Sequence, residues 1–348
     1  MSAFQNKRLL FIRLDRIGDL VLTLPVDSAV AGADVDWWVP QRLGFVPMLA
    51  QPRRKAREVS RQISWSGFFA LVDEVRAADY DAAVVFHAPW WVSFLLLLAR
   101  VPIRAGVRSQ WHSYLFLNRA VRQKRSLAEF SELEYAYRLV ERVFGIQHAK
   151  RLSLKLHGVE AAARASLLSQ IQLDDRGYYV VHPGMGGSAL NWPTAHYATL
   201  IRELAREAPV VITGTEADEP YLAPLRELLS EERNVVCLEG RLGGPELVTI
   251  LDGARAIFAP STGVLHLAAS TGRPTIGLFS PVRVQHPKRW GPQGDRVVSL
   301  VPDVVCPGER KCLGAICPHY DCMVRITPEQ VLVQSRVLEE HLEVMTTS

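Results

Sequence analysis

FAPSTGVLHLAASTGRPTIGLFSP, residues 258–281, sets two short apolar runs on either side of a helix-length segment. The run Ala256 to Phe258 leads into a small polar turn, Ser261-Thr262-Gly263, after which the apolar spacing turns helical and carries His266. Thr275 to Phe279 is the second run, closed by Ser280-Pro281. Strand, polar turn, helix and strand make a βαβ unit, whose ligands bind beyond the carboxyl ends of the strands. There the first amides of the following helix lack an intrahelical partner, and Gly263 lets a ligand approach the backbone closely. The turn at 261–263 therefore reads as an anion site.

Outward from this unit the same alternation fills the chain. Leu9 to Leu14, Val35 to Val39 and Ala82 to Phe86 read as strands of a first series, with a helix, LVLTLPVDSAVA, after the turn DRIGD. A charged amphipathic helix over 131–144 closes that half, and helical pattern returns over 152–172. The second series runs through 177–182, 209–213, 235–238, 256–258 and 275–279. Strands alternating with helices imply parallel sheets covered on both faces. The expectation is an α/β chain with two Rossmann-like domains facing each other across a cleft. At 348 residues the chain exceeds one ordinary core. The expected division is 1–165, 166–325 and a C-terminal helix over 326–348.

Composition narrows the class. With 48% hydrophobic and 22% charged residues the chain reads as soluble and globular. The opening MSAFQNKRLLFIRLD breaks its apolar run at Arg13, unlike a secretory signal, and the uncharged stretch 88–99 is too short for a bilayer. A cytoplasmic location is expected. Charge is uneven: residues 1–150 hold 21 Lys and Arg against 14 Asp and Glu. The basic residues gather at Arg53, Arg54, Lys55, Arg57 and Arg61 and again at Arg119, Arg122, Lys124 and Arg125. Such clusters are either solvated helix faces or attractors of an anionic membrane surface or membrane-embedded acceptor. No nucleic-acid module is visible, so none is expected as partner.

Several residues carry candidate chemistry. After the first strand the chain lacks G-x-G-x-x-G, which argues against a nicotinamide dehydrogenase. Asp19 instead stands near a helix start, where the helix field favours its ionised form; it either accepts a proton or caps the helix. The turn HPGMGGSA offers Gly184, Gly186, Gly187 and Ser188 as a phosphate cradle or as a plain tight turn. The strand end ITGTEADEP carries Thr213, Thr215 and the carboxylates Glu216, Asp218 and Glu219, placed either to hold ribose hydroxyls or to cap a helix. His182 ends a strand beside the glycine turn. Asp34-Val35-Asp36 has the spacing of a metal-binding carboxylate pair but enters a strand early in the first half, and no metal is assigned to it. Cys306, Cys312, Cys317 and Cys322, beside His319, lack close C-x₂-C pairs and are read as reduced structural thiols, with a zinc ion or cluster as the alternative. Trp90 and Trp91 open a leucine run, read as a buried helix or an interfacial one.

The order RxDxIGDxVLTLP, HPGxGGSAxNWP, a GTE turn and STGxxHLAAxxGxPTIGLF resembles the heptosyltransferases, glycosyltransferase family 9, over nearly the whole chain. That resemblance implies a GT-B fold, with the acceptor held mainly by the first domain and a nucleotide-sugar by the second. It implies inverting, metal-independent transfer of heptose from ADP-heptose to a lipopolysaccharide core acceptor, with no cofactor. Asp19 matches the catalytic base. Gly186, Gly187, Ser188, Thr215, Asp218, Leu242, Ser261, Thr262, Gly263 and His266 match or flank donor-binding positions, and Arg16, Arg57, Arg61 and Arg122 are the candidate acceptor-binding cations. The acceptor implied is an anionic lipid-linked saccharide, with peripheral contact at the inner face of the inner membrane. Ser261 stands where many members have Asp, and Leu190 where many have Lys or Arg; backbone amides at 186–188, or Lys288 and Arg289, would compensate. A nucleotide-sugar epimerase and a catalytically silent binding protein of the same fold are the alternatives.

Overall fold

A computed structural model describes residues 4–173, 177–186 and 190–346. The chain divides into two compact units, Met1–Arg125 with Glu132–Leu154, and Ser126–Ser131 with Lys155–Ser348.

In the first unit β1 (Arg8–Arg13), β2 (Asp34–Pro40), β3 (Lys55–Val59), β4 (Ala82–His87), β5 (Ile103–Val107) and β6 (Arg119–Val121) form a parallel sheet, order β3-β2-β1-β4-β5-β6. β1 is central because both its faces are apolar: Leu9, Leu10, Phe11 and Ile12 are all buried. Leu9 pairs with Val35 on one side and Ala82 on the other. Phe11 meets Trp37 and Phe86 edge-on at 5.2 and 5.6 Å. On the opposite face Leu10 and Ile12 pack into a core with Phe68 and Val72 of α2 (Trp65–Ala78) and Leu95 and Leu96 of α3 (Trp90–Leu98). The helix after β1 is shorter than its apolar pattern predicts. α1 (Ile17–Thr23) gives way to a 3₁₀ turn over Leu24–Val30, since Pro25 has no amide to donate. The amphipathic stretch becomes α4 (Glu132–Phe144), which turns Leu133, Ala136, Tyr137 and Val140 inward.

The basic run at 53–61 is not a helix face. Its middle is β3, an edge strand, and its cations are largely matched: Arg54 reaches Asp27 at 2.5 Å, Lys55 reaches Asp34 at 2.6 Å, and Arg57 pairs with Glu74 of α2. Charge on an edge strand discourages pairing with a foreign strand.

The second unit repeats the plan. β7 (Tyr179–Val181), β8 (Val210–Ile212), β9 (Val235–Cys237), β10 (Ala256–Pro260), β11 (Thr275–Leu278) and β12 (Val297–Leu300) form a parallel sheet, order β9-β8-β7-β10-β11-β12. Of the helical pattern predicted over 152–172 only α5 (Ala161–Gln170) is helical. The lead-in is extended because its backbone is tied to α8 (Gly244–Asp252): the Gly158 amide donates to Asp252 at 2.9 Å and the Val159 amide to Thr249 at 3.0 Å. Gly158 itself lies against Thr249, whose Cα would stand 2.9 Å from any added Cβ. Helices α6 (Thr194–Ala205) and α7 (Glu219–Leu228) cover one face of the sheet through Tyr197, Leu200, Ile201 and Leu222, Leu225. The terminal helix α10 (Pro328–Thr346) joins that core through Val331 and Leu338, and Trp192 donates to the Ile326 carbonyl at 2.7 Å.

Candidate functional site

Each sheet reverses its winding once. In the first unit the chain steps outward from β1 through β2 to β3 and then returns to begin again at β4, so β1 and β4 flank a switch point. In the second unit β7 and β10 do the same. Open α/β sheets bind ligands in the crevice outside such points.

At the first of these, β1 runs directly into Asp15 and α1. The Leu14 amide donates to the His87 carbonyl at 2.8 Å, which joins the two strand ends. Arg13, fully buried, donates from Nε and Nη2 to the two carboxylate oxygens of Asp15 at 2.7 and 2.8 Å, and from Nη2 to Asp19. Its Nη1 has no hydrogen-bond partner among the described residues. Asp19 is the third residue of α1; Arg16 occupies the cap and makes no side-chain cap bond. A capping role therefore does not account for this carboxylate, which is held by a guanidinium instead. Burial pushes its pKa up to about 6, and the carboxylates of Asp15 and Glu132 add to the rise against the opposing pull of Arg13 and Arg125. Glu132, buried at the start of α4, pairs with Arg125 at 3.1 Å. His87 lies near the same charges; desolvation lowers its pKa, Asp15 opposes that, and Arg13, Arg61 and Arg125 add to it.

Sequence reasoning singled out Asp19 but not Arg13, Asp15 and Glu132, whose charges act on it, nor His87 beside Asp15. RLDR was visible as a charged group ending a buried strand, yet Glu132 comes from a helix more than a hundred residues away. Of the candidate acceptor cations Arg16, Arg61 and Arg122 are exposed, whereas Arg57 is taken up by Glu74. Asp34 and Asp36 are likewise engaged, by Lys55 and by the Tyr80 hydroxyl at 2.7 Å.

At the second switch point the Ser261-Thr262-Gly263 turn leads from β10 into α9 (Gly263–Ser270). Thr262 is the N-cap residue in an extended conformation and makes no side-chain cap bond. Its Oγ1 is buried without a partner among the described residues, and so is Nδ1 of His266, one turn into the helix. Burial pulls the His266 pKa down to about 4, so the imidazole is neutral near pH 7. Thr262 thus leaves the first-turn amides of α9 to a ligand, with two unspent polar atoms beside them.

Next to it the turn after β7 bends through Gly186 in a left-handed conformation, φ 55°, reserved largely for glycine. Gly187 and Ser188 lie outside the described residues. Gly184 has no room for a side chain, because an added Cβ would run into the Asp218 carboxylate. Asp218 accepts from the Thr215 amide and hydroxyl at 2.9 and 2.8 Å, so one of its oxygens closes the turn after β8, as the capping reading expected. His182 bonds Thr213 at 3.0 Å; burial lowers its pKa to about 4, with Asp218 pulling the other way. Leu242 is half-buried just before the Gly243 cap of α8, and Ser261 is half-buried at the turn. Leu190 packs against the core of this unit. Trp290 packs on Ala259, Leu265 and Phe279, which sets the turn carrying Lys288 and Arg289 alongside α9. Cys306, Cys312, Cys317 and Cys322 line a cavity of about 10 Å³ as free thiols; among the described residues no three His, Cys, Asp or Glu side chains are placed to hold a metal ion.

The family model for glycosyltransferase family 9 (heptosyltransferase) matches residues 68–313. The chain belongs to this family. It is a glycosyltransferase, and its curated relatives include lipooligosaccharide heptosyltransferase 2 of Haemophilus influenzae, 26% identical over 73% of this chain and 75% of that one. Among solved structures, a family 9 glycosyltransferase of Veillonella parvula superposes with a TM-score of 0.80 at 18% identity, covering 98% of this chain and 99% of that one. ADP-heptose lipopolysaccharide heptosyltransferase II of Escherichia coli gives 0.77 at 22%, covering 97% and 99%. These likenesses establish the two-Rossmann, GT-B architecture for the glycosyltransferase.

Proposed function

We propose that this glycosyltransferase moves a heptose from ADP-heptose to an anionic, lipid-linked lipopolysaccharide core acceptor, with inversion and with no metal at the reacting atoms. One observation carries the reading: a partly buried carboxylate, Asp19, sits at the switch point of the first sheet with its pKa raised to about 6. A general base works best when its pKa lies near the operating pH, and few structural carboxylates are kept that way. Asp19 takes the proton of the acceptor hydroxyl as the new oxygen–carbon bond forms at the anomeric centre and the bond to the diphosphate breaks on the opposite face. ADP departs with the electron pair. Developing charge on the diphosphate is met by first-turn amides of α9 and by Thr262, a preorganised set that does the work a cation does elsewhere. Asp34 and Asp36, the pair with metal-binding spacing, are committed to Lys55 and Tyr80.

The test is incubation with ADP-heptose and a truncated core acceptor, with and without chelator. Product that needs both substrates and is unaffected by chelator supports the proposal. Conversion of ADP-heptose without acceptor supports an epimerase, and no turnover of any kind supports a silent binding protein.

A further inference from the structure

We propose that the outer face of α2, α3 and the 111–115 turn is a docking surface for an anionic lipid bilayer. The core-facing sides of these helices are already filled, by Phe68, Leu71 and Val72 from α2 and Trp91, Val92 and Leu95 from α3. The outward side of α3 is also apolar, and that of α2 is apolar at its start, at Trp65 and Phe69, before Asp73, Glu74 and Arg76 follow. Every residue of α3 except Ser93 is a large hydrophobic, a composition that suits a fully buried helix, while Trp90 and Leu97 face solvent. Trp65 is 75% exposed, Trp111 59% and Leu115 67%, with Phe69 and Tyr114 also exposed.

The exposed rings are linked from beneath by Phe68, which is buried, and Phe94, which is half-buried. Trp65 meets Phe68 at 6.2 Å, Phe68 stacks on Phe94 at 5.9 Å, and Phe94 meets Trp90 at 6.4 Å. Trp90 meets Trp111 at 6.1 Å. Exposed aromatic side chains gathered in this way mark an interaction site, and tryptophan suits the boundary between lipid tails and headgroups.

Charge selects the partner. Between Asp81 and Glu129, which spans α3 and the 111–115 turn, the chain has no Asp or Glu and seven Lys or Arg, and the acids of α2, Asp73 and Glu74, are paired with Arg76 and Arg57. Arg100, at the end of α3, is exposed, and so is Arg108, whose guanidinium lies over the Tyr114 ring at 5.4 Å. Arg61 is exposed beside α2, its carbonyl accepting from Trp91 at 3.1 Å. Cations around an apolar patch match anionic headgroups around acyl chains. A second copy seated on the same surface would set these arginines against themselves, which favours the bilayer. No described helix is long and apolar enough to cross a membrane, so the contact is peripheral. The proposal deepens the reading of the acceptor as lipid-linked and rests on it for its purpose, although binding can be measured without turnover.

The experiment is flotation of the full-length protein with phosphatidylcholine vesicles, alone or with about 30% phosphatidylglycerol. Binding is expected with the anionic vesicles, declining as salt is raised. Trp111→Ser with Leu115→Ser should weaken it about tenfold, and Arg108→Glu should remove the preference for anionic lipid. Far-UV dichroism, ADP binding and turnover of a soluble truncated acceptor should be unchanged in these variants, which separates loss of docking from misfolding and from failure of the transferase reading. Absence of flotation with either vesicle overturns the proposal. So does equal binding by the double variant, or a dimer in solution that the double variant splits.

Discussion

Replacing Asp19 by Asn tests the centre of the mechanism. Asparagine keeps an oxygen for Arg13 to donate to but cannot take a proton, so the local scaffold survives while the base is lost. General-base contributions run to about a hundredfold to ten-thousandfold, and kcat should fall by that much with the dissociation constant for ADP nearly unchanged. The raised pKa gives a second, independent signature. With Asp19 titrating at about 6, kcat/KM of the wild type should be flat above that pH and fall tenfold for each unit below it, because only the ionised carboxylate is a base. Stability runs the other way. A carboxylic acid whose folded pKa lies above its unfolded value of 3.8 binds protons better when folded, so acidification from about pH 6 to about pH 4 favours the fold at this site. Above pH 6 the buried charge costs about 3 kcal/mol, so Asp19→Asn should not lower the melting temperature at neutral pH. Initial rates from pH 5 to 8 and calorimetric melts read both effects. A mutant within tenfold of wild-type turnover would refute the assignment. An acid limb that persists in the mutant would move the titration to another group, such as His87, which lies in the field of Asp15.

Other expectations follow from the neighbours. Glu132→Gln removes a like charge, so the acid limb should shift to lower pH, and leaving Arg125 without its buried partner should cost about 3 kcal/mol in denaturant unfolding. An unmoved limb would mean that this carboxylate does not act on Asp19. Because burial keeps His266 neutral, ADP affinity by calorimetry should not vary with this ring between about pH 5 and pH 8. A tightening on acidification that His266→Ala abolishes would show the ring charged in the complex. Gly184→Ala forces a methyl into the Asp218 carboxylate and should destabilise the fold by about 1–3 kcal/mol, read as a lower melting temperature; an unchanged melt would contradict the packing.

Much of the architecture is legible in the linear chain. Buried parallel strands must be apolar on both faces, so Leu9 to Leu14 and Ala256 to Phe258 announce themselves, and the glycine and Ser-Thr-Gly turns mark where strands hand over to helices. Strands that carry charge or sit at sheet edges do not. Lys55–Val59 hides in a basic run, and Ile103–Val107, Arg119–Val121 and Val297–Leu300 are too short or too mixed to stand out. The extended lead-in to α5 was equally hidden, since it is held by Asp252 and Thr249, far along the chain.

The amino-acid order by itself determined two βα series, an unspent helix start at Thr262 and Gly263, and an acid at position 19, because periodicity and turn chemistry are local. Only the folded chain decided what that acid is. Its raised pKa depends on desolvation at the start of α1 and on Asp15, Arg13, Arg125 and Glu132 gathered from separate elements. Desolvation and Coulomb terms depend on distance in space, and no spacing along the backbone encodes them.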